Sequence, residues 1–400
     1  MTEFCRGRSQ DQEEIIDFIN MVFSQNSVPH DFKTLLPKLY GDDADTGCCH
    51  FLAKEDGKIR AVVGLFLTQF HVGEQRLKLG HIGSVSVHKY SRGKGYMKKL
   101  MHMAIEAAKA EKMDALVLGG LKNRYQYFGF QPTGIRLKYE FIPENVTHQY
   151  RGEGSEDIVF AEVTSSADPL FAAVRSLYEQ RPVHMDRGSD DYFYRVLCSW
   201  GNRVYAVLKR GKFAGYMLSS ANHRYVGEWG LFEKTDFPAV LAAWFAAFGE
   251  SQLVVICPPY DKESSEILGR YSEAFVPATG ANWRILNFEN VAEAFMRLKN
   301  EYDPLEVGSL GISVKTDNES IEFYRLTSDG KSIHVRREAL ELPCERKLEL
   351  DLLDAQEALF SEAVYWRDYG IPGGAAYKNW FPLPLYVDCL LYTSDAADDK

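Results

Sequence analysis

Apolar residues in the first third of the chain fall into alternating helical and strand-like patterns. From residue 11 to residue 23 they recur at the intervals of an amphipathic helix, behind an acidic first turn. Two apolar runs, 50–54 and 59–72, then flank Glu55-Asp56-Gly57-Lys58, in which Asp-Gly is a strong hairpin signal. The other elements predicted here are strands at 83–88, 114–118 and 134–142 and a helix at 97–110. Residues 1–148 are therefore expected to form a mixed α/β domain built around a sheet.

A similar order of elements returns in residues 149–281. The predicted elements are a helix at 170–180, strands at 204–208, 213–219, 227–232 and 253–256, and a helix at 237–248. We interpret this stretch as a degenerate copy of the first domain. A coincidental similarity in the order of elements is the alternative.

A third unit, residues 282–388, follows a different order. The predicted elements are a strand at 284–286, a helix at 291–298, strands at 310–314 and 321–326, and a helix at 348–361. Residues 365–387 are too aromatic and apolar for a free tail, so we expect them to pack against another domain. Residues 389–400 resemble one reading frame of a transposon-end sequencing adapter, and we expect this segment to be non-native. An ordinary acidic tail is the alternative.

The composition indicates a globular protein with well-filled cores, because 46% of the 400 residues are hydrophobic and 13% are aromatic. The 46 basic and 56 acidic residues give a net charge of −10, which argues against a nucleic-acid partner and suits a cationic amine. No apolar run approaches the roughly 20 residues of a membrane span, and the N-terminus is polar, so a cytoplasmic protein is expected. Seven scattered cysteines favour reduced thiols, and no metal site is expected.

The clearest chemical signal is a basic, glycine-bearing turn between a strand and a helix. The strand that ends at His88 runs into Ser91-Arg92-Gly93-Lys94-Gly95-Tyr96, and a helix follows. N–H groups at a helix N-terminus converge on negative charge, and glycine lets the backbone approach that charge closely. The pattern predicts a pyrophosphate cradle from Arg92 to Met97; an ordinary strand-turn-helix with solvated cations is the alternative. The matching turn of the second unit, Glu233-Lys234-Thr235-Asp236, has no glycine and two carboxylates that would repel a pyrophosphate.

A second motif lies downstream of the first, at Tyr125, Gly129 and Phe130. With it, the first domain resembles the GNAT superfamily of acyl-CoA N-acyltransferases, whose motifs read R-x-x-G-x-G/A and, further on, Y-x-x-x-G-F. Arg92 matches the start of the first motif, whereas Met97 stands where most of the superfamily has Gly or Ala. The resemblance implies the GNAT acyltransferase fold and acetyl-CoA as cofactor.

The three-part layout of the whole chain resembles the enhanced-intracellular-survival branch of this superfamily. That branch joins an active acetyltransferase domain, a degenerate second one and a sterol-carrier-like domain whose C-terminal end reaches the active site. It also lacks the small residue that Met97 replaces. We therefore place a catalytic domain at 1–148, a degenerate GNAT-like domain at 149–281 and a sterol-carrier-like domain at 282–388. The degenerate repeat suggests a homo-oligomer.

The strand segment 85–87 and the basic turn that follows it are expected to hold the thioester substrate. The N–H and C=O groups of Val85, Ser86 and Val87 can pair with the pantetheine amides in the manner of an added strand. A backbone N–H at this strand end is the expected donor to the oxyanion. Arg92 and Lys94 are expected to add positive charge beside the pyrophosphate.

Two side chains are candidates for proton transfer. The resemblance gives Tyr125 the role of general acid, and a phenol of ordinary pKa, about 10, stays protonated at neutral pH. Packing of Tyr125 against Phe128 or Phe130 is the alternative. His81 is a weak candidate for the base, because a lone strand histidine is more often a core residue. In the resembling family the chain's own C-terminal carboxylate serves as base.

These expectations favour an acetyl-CoA-dependent N-acetyltransferase that acts on a primary amine of the aminoglycoside, polyamine or lysine type. The runner-up is a non-catalytic carrier or acyl-CoA sensor whose third domain binds an apolar ligand. Transfer of a longer acyl chain is a third hypothesis, which depends on the depth of the pocket behind Val85.

Overall fold

The computed structural model describes residues 1–26, 28–150, 155, 157–340, 346–371 and 379–387. The N-terminal elements are β1 (Thr2–Arg6), α1 (Gln12–Asn26), α2 (Phe32–Leu35), α3 (Pro37–Tyr40), β2 (His50–Glu55), β3 (Lys58–Val72), β4 (Gln75–Val87), α4 (Tyr96–Ala110), β5 (Ala115–Leu118), α5 (Lys122–Tyr125), β6 (Gln131–Phe141) and α6 (Pro143–Gln149). The predicted hairpin is confirmed: β2 and β3 pair through Glu55↔Lys58, and Asp56 and Gly57 both have positive φ.

The middle of the chain repeats the strand-helix-strand order of the N-terminal part. Its elements are β7 (Ile158–Val163), α7 (Phe171–Glu179), β8 (Val183–Met185), α8 (Asp190–Cys198), β9 (Arg203–Lys209), β10 (Lys212–Ser219), β11 (Tyr225–Leu231), α9 (Phe237–Phe248), β12 (Leu253–Cys257), α10 (Lys262–Tyr271) and β13 (Ala274–Ile285). The parallel pair β11–β12, joined through α9, corresponds to the parallel pair β4–β5, joined through α4. Pro238 in the first turn of α9 removes one backbone N–H from that helix end.

The last part of the chain forms a separate four-stranded sheet in the order β16-β15-β14-β17. Its elements are α11 (Phe288–Tyr302), β14 (Gly308–Lys315), β15 (Ile321–Ser328), β16 (Ile333–Glu338), β17 (Lys347–Asp351) and α12 (Leu352–Phe360). The helix predicted at 348–361 is wrong in its first turn, because 347–351 alternates buried and exposed residues and pairs in parallel with β14. Asp351 then caps α12 by accepting a hydrogen bond from the Asp354 N–H, at 2.8 Å.

One large sheet carries both of the first two units. Its order is β1-β2-β3-β4-β5-β13-β6-β12-β11-β10-β9-β7, with β8 paired to β3 outside this path. Strand β13 inserts between β5 and β6 and pairs with both. The predicted boundary between residues 281 and 282 therefore falls inside a strand of the shared sheet. The mixed α/β fold class is confirmed.

The C-terminal segment 379–387 packs into the core, as expected for part of the aromatic stretch. Six of its apolar side chains are buried: Trp380, Phe381, Leu383, Leu385, Tyr386 and Val387. The Ile135 N–H donates to the Leu385 carbonyl at 2.8 Å, and the Lys299 ammonium donates to the Pro382 carbonyl at 3.2 Å. Trp366, in contrast, is 74% exposed. The expected non-native segment, 389–400, lies outside the described residues.

None of the helices within the described ranges is long and apolar enough to span a bilayer.

Candidate active site

The turn between β4 and α4 has the backbone conformation that the glycine pattern predicts. Gly93 and Gly95 have φ of 76° and 75°, in the left-handed region that disfavours residues with a Cβ. A Cβ at either position would meet no atom within 4 Å, so backbone conformation rather than crowding requires glycine. Gly95 is the N-cap of α4, a helix of 15 residues. This helix N-terminus, beside open space, suits a bound diphosphate.

The basic side chains of the turn have different surroundings. The Lys94 ammonium donates to Glu55 at 2.7 Å, and the Tyr96 hydroxyl donates to the same carboxylate. These two hydrogen bonds lower the pKa of Glu55, and the bond from Lys94 has the larger effect. The Arg92 Nε is buried and has no hydrogen-bond partner among the described residues. Arg92 is therefore better placed than Lys94 to supply positive charge to a ligand in the cradle.

Met97 lies in the core rather than beside the cradle. Its side chain is 4% exposed and belongs to the apolar cluster that contains Val85, Leu100 and Leu118. The first turn of α4 therefore places residue 97 on the buried face of the helix. A larger residue than the usual Gly or Ala fits there without filling the open side of the turn.

Strand β4 separates from its neighbour β5 before it ends. Their parallel register runs from Leu79↔Ala115 to His81↔Val117, while β4 continues to Val87. The Val85 and Val87 side chains are buried, and the Ser86 hydroxyl donates to the Ser84 carbonyl at 3.0 Å. Only the backbone of this segment can therefore contact a ligand laid along the strand.

A β-bulge interrupts β4 at the same place. The β3–β4 register passes from Gly64↔Gly83 to Val62↔Ser86, so two residues, Ser84 and Val85, lie opposite Val63. Ser84 has φ of 54° although it is not glycine. The bulge re-aims the backbone of Val85 relative to a regular strand.

Tyr125 lies at the end of α5 and is fully buried. Its ring meets Phe130 edge-on at 6.3 Å between centroids, and it shares an apolar cluster with Val85. The structure thus places Tyr125 in the apolar core that also contains Val85 of β4 and Leu118 of β5. The aromatic packing considered as the alternative is present together with this placement.

Residues from later in the chain hold the segment that follows Tyr125. The Arg284 guanidinium donates to the Phe128 carbonyl, and the Gln356 Nε2 donates to the Gly129 carbonyl at 3.1 Å. The Gln356 Oε1 also accepts a hydrogen bond from the Ile285 N–H at 2.6 Å. Sequence analysis missed these contacts, because no local signal links α12 or β13 to this segment.

His81 is buried in the paired part of β4, with 2% of its surface exposed. Burial, with a smaller effect of the nearby Lys38 charge, lowers the pKa of His81 to about 3. Its Nε2 has no hydrogen-bond partner among the described residues. A base role for His81 stays a prediction, and this low pKa makes its imidazole a weaker base than usual.

A buried polar chain beside the bulge was also missed. The Tyr40 hydroxyl contacts both the Ser84 hydroxyl and, at 3.0 Å, His50 Nε2. The His50 Nδ1 lies 2.8 Å from the Thr46 carbonyl. Tyr40, His50 and Ser84 are each fully buried. They come from α3, β2 and β4, and no spacing in the sequence associates them.

Comparison with protein families identifies the class of the N-terminal part. Residues 4–133 match the family described as the acetyltransferase (GNAT) domain. The chain therefore carries a GNAT acetyltransferase domain and is an enzyme of the acyltransferase class. Comparison with curated proteins finds no match.

Solved structures resemble the chain over nearly its whole length. A conserved protein of unknown function from Enterococcus faecalis V583, described as a probable N-acyltransferase, has a TM-score of 0.68 at 15% identity, covering 97% of this chain and 98% of its own. The GCN5-related N-acetyltransferase from Kribbella flavida has a TM-score of 0.62 at 13% identity, covering 99% and 100%. Eis1 from Mycobacterium abscessus has a TM-score of 0.63 at 11% identity, covering 99% and 98%. At these identities the likeness establishes the shared fold.

Proposed function

We propose that the protein transfers an acetyl group from acetyl-CoA to a primary amine of the aminoglycoside, polyamine or lysine type. The observation that carries this proposal is the open glycine turn at the N-terminus of α4, next to the separation of β4 from β5. The Arg92 Nε, buried without a partner among the described residues, gives this turn a donor that suits an anionic ligand. The net charge of −10 suits a cationic acceptor.

Each part of the site has a task in this proposal. The N–H groups of the turn from Arg92 to Met97 hold the diphosphate, and the backbone of Val85 to Val87 aligns the pantetheine arm. Acetyl-CoA supplies the activated acyl group. A backbone N–H at the bulge donates to the carbonyl oxygen, where negative charge develops.

Tyr125 is the proposed general acid, which donates its phenolic proton to the departing sulfur. The base stays open between His81 and the chain's own C-terminal carboxylate, which the resemblance to the enhanced-intracellular-survival branch implies. The low pKa of His81 favours the carboxylate, because a base works best when its pKa lies near the working pH.

The carrier alternative has less support. The apolar cavity between α11, α12 and the third-unit sheet has a volume of about 10 Å³ and is lined by residues such as Phe288, Ile312 and Leu359. A cavity of about 10–15 Å³ on this measure holds one water molecule. The cavity is therefore too small, as it stands, for an apolar ligand much larger than water, although a sterol-carrier-like architecture is proposed for this unit. A cytoplasmic location and a homo-oligomer remain part of the proposal.

The decisive experiment measures thiol release from acetyl-CoA against a panel of amines, with longer acyl-CoA esters in parallel. We expect turnover with at least one cationic amine and a loss of about 100-fold in kcat for Tyr125→Phe, within the range for one acid–base group. Unchanged kcat in Tyr125→Phe would remove this residue from the mechanism. Absence of turnover with every amine, together with coenzyme A binding, would favour the sensor.

A further inference from the structure

The hydrogen bonds around Tyr40 have a defined direction. The Thr46 carbonyl can only accept, so the His50 Nδ1, at 2.8 Å, carries the proton. Full burial lowers the pKa of His50 to about 4, so the ring is neutral and its Nε2 is an acceptor. The Tyr40 hydroxyl therefore donates to His50, at 3.0 Å. Its oxygen is then left to accept the hydrogen bond from the Ser84 hydroxyl.

Among the three hydrogen-bonded residues Tyr40, His50 and Ser84, Ser84 is the one whose backbone conformation requires stabilisation. Its φ of 54° places a residue with a Cβ in the left-handed region, and the bulge with Val85 depends on that conformation. Such outliers persist when surrounding contacts over-determine them. The hydroxyl of Ser84 is tied to Tyr40, and Tyr40 is fixed in turn by His50.

We propose that Tyr40, oriented by His50, is a positioning residue that holds Ser84 in its left-handed conformation and thereby aims the Val85 backbone N–H at the acyl carbonyl. This inference rests on the proposed acetyltransferase function. It assigns Tyr40 no role in proton transfer. A proton passed from an amine through Tyr40 would end on His50, and the buried imidazole of His50 is too weak a base to accept it.

The position of Tyr40 links the bulge to the second unit of the chain. Tyr40 ends α3, which packs against α8. Just after α3, Asp43 forms a 3.0 Å ion pair with Arg195 of α8. The residue that holds the bulge therefore belongs to a segment that is anchored on both sides, by His50 in the first unit and by α8 in the second.

The test compares kcat and KM for acetyl-CoA in three single variants, one double variant and one control variant. Tyr40→Phe keeps the ring and removes the hydroxyl, and we expect kcat to fall by about 10- to 100-fold, since small displacements of reacting groups cost that much. We expect KM for acetyl-CoA to stay within about twofold, because the cradle at Gly93 and Gly95 is unaffected. Ser84→Ala should lose a similar factor, because it keeps the Cβ and loses the anchor. Ser84→Gly should lose less than about threefold, because glycine adopts positive φ without an anchor.

The double variant Tyr40→Phe with Ser84→Gly separates positioning from a general packing effect. If Tyr40 acts through Ser84, its replacement costs nothing further once residue 84 is glycine. The matched control is Tyr139→Phe, which removes another buried hydroxyl bonded to a serine, Ser265, in the core of the second unit. It should lower the melting temperature as much as Tyr40→Phe does and leave kcat unchanged.

The inference is overturned by wild-type kcat in Tyr40→Phe, or by an equal loss from Tyr40→Phe in the Ser84→Gly background. A crystal structure of Tyr40→Phe gives a readout that does not need activity: residue 84 should leave positive φ, and its retention would also overturn the inference. Absence of turnover in the wild-type protein with every amine would instead refute the proposed function, and the φ of residue 84 would still decide the role of Tyr40.

Discussion

At the scale of single residues, the site depends on backbone conformations more than on reactive side chains. Gly93 and Gly95 both have positive φ in open surroundings, and Ser84 has positive φ while its hydroxyl is hydrogen-bonded to Tyr40. The glycines of the turn motif therefore correspond to specific backbone φ values. Substitutions that change those values should have larger effects than substitutions that remove charge.

Replacement of Gly95 tests this comparison directly. Valine is β-branched and disfavours φ of 75°, so Gly95→Val should displace the N–H groups at the start of α4 and weaken coenzyme A binding by at least about 100-fold. Arg92→Ala removes one charged donor and should weaken binding by about tenfold. Calorimetric titration with coenzyme A measures both. Gly211→Val is the control, because Gly211 also has positive φ and open surroundings but lies in the β9–β10 hairpin; equal losses in all three variants would contradict the prediction.

The two buried histidines predict a loss of stability in mild acid. Burial lowers the pKa of His50 to about 4 and that of His81 to about 3, from 6.5 in the unfolded chain. Between the unfolded and folded values the unfolded chain binds more protons, so the free energy of unfolding falls as pH falls from about 6.5 to about 4. The loss amounts to roughly 3 kcal/mol per histidine over that window.

Urea unfolding at about pH 7 and about pH 5 measures this dependence. His81→Leu should unfold with a weaker pH dependence than the wild-type protein, because it removes one of the two groups. Parallel pH profiles for the two proteins would show that His81 does not contribute.

At the scale of elements, the predictions succeeded where the alternation of apolar and polar residues and the helix-capping residues were read correctly, and failed where they were not. The β2–β3 hairpin and the helix at 237–248 followed from strong local signals and are confirmed. The start of the helix predicted at 348–361 was wrong, because Lys347–Asp351 alternates and Asp351 is a capping residue. The two leucines of this short acidic stretch fit the period of a helix as well as that of a strand. Pairing with β14 makes the stretch a strand.

The contacts between α12 and the Tyr125 segment could not be predicted from the sequence. Gln356 is fully buried and bonds both the Gly129 carbonyl and the Ile285 N–H, positions that are far away along the chain. Pairing of β13 between β5 and β6 brings them together. The same limitation applies to Tyr40, His50 and Ser84, which meet only after three strands and a helix have packed.

Gln356→Leu should therefore affect both stability and catalysis. It leaves a buried carbonyl and a buried N–H without their partner, at a cost of about 1–3 kcal/mol for each group. It also releases the segment after Tyr125, so kcat should fall while binding of coenzyme A is kept. Gln356→Glu preserves an acceptor for the Ile285 N–H, but an ionised carboxylate cannot donate to the Gly129 carbonyl and is costly to bury, so this variant should also be destabilised. Wild-type kcat in a destabilised Gln356→Leu protein would show that this contact does not position Tyr125.

At the scale of the whole molecule, one sheet of 13 strands within the described residues joins the first two units, and the third unit packs against strands of this sheet. The apolar cluster of the third unit includes Phe70 and Leu79 of the first as well as Trp283 of β13. Segment 379–387 completes this cluster, and its backbone is bonded to β6. The N-terminal GNAT domain is therefore expected to depend on residues far along the chain, as the contact between Arg136 and Val387, 251 positions apart, illustrates.

Removal of the last buried segment tests that dependence. A chain that ends after Ile371 loses six buried apolar side chains, which corresponds to on the order of 10 kcal/mol of apolar burial at about 1.5–3 kcal/mol for each large side chain. It should melt at least about 5 °C below the full chain and lose turnover. A chain that ends after Val387 keeps every contact described for this segment, so its melting temperature should match that of the full chain. The two shortened proteins differ in residues 372–387, and both lack residues 388–400. If the shorter chain melts at the same temperature as the longer one, the buried side chains of 379–387 do not stabilise the junction, and the dependence of the catalytic domain on its C-terminal partner must be abandoned.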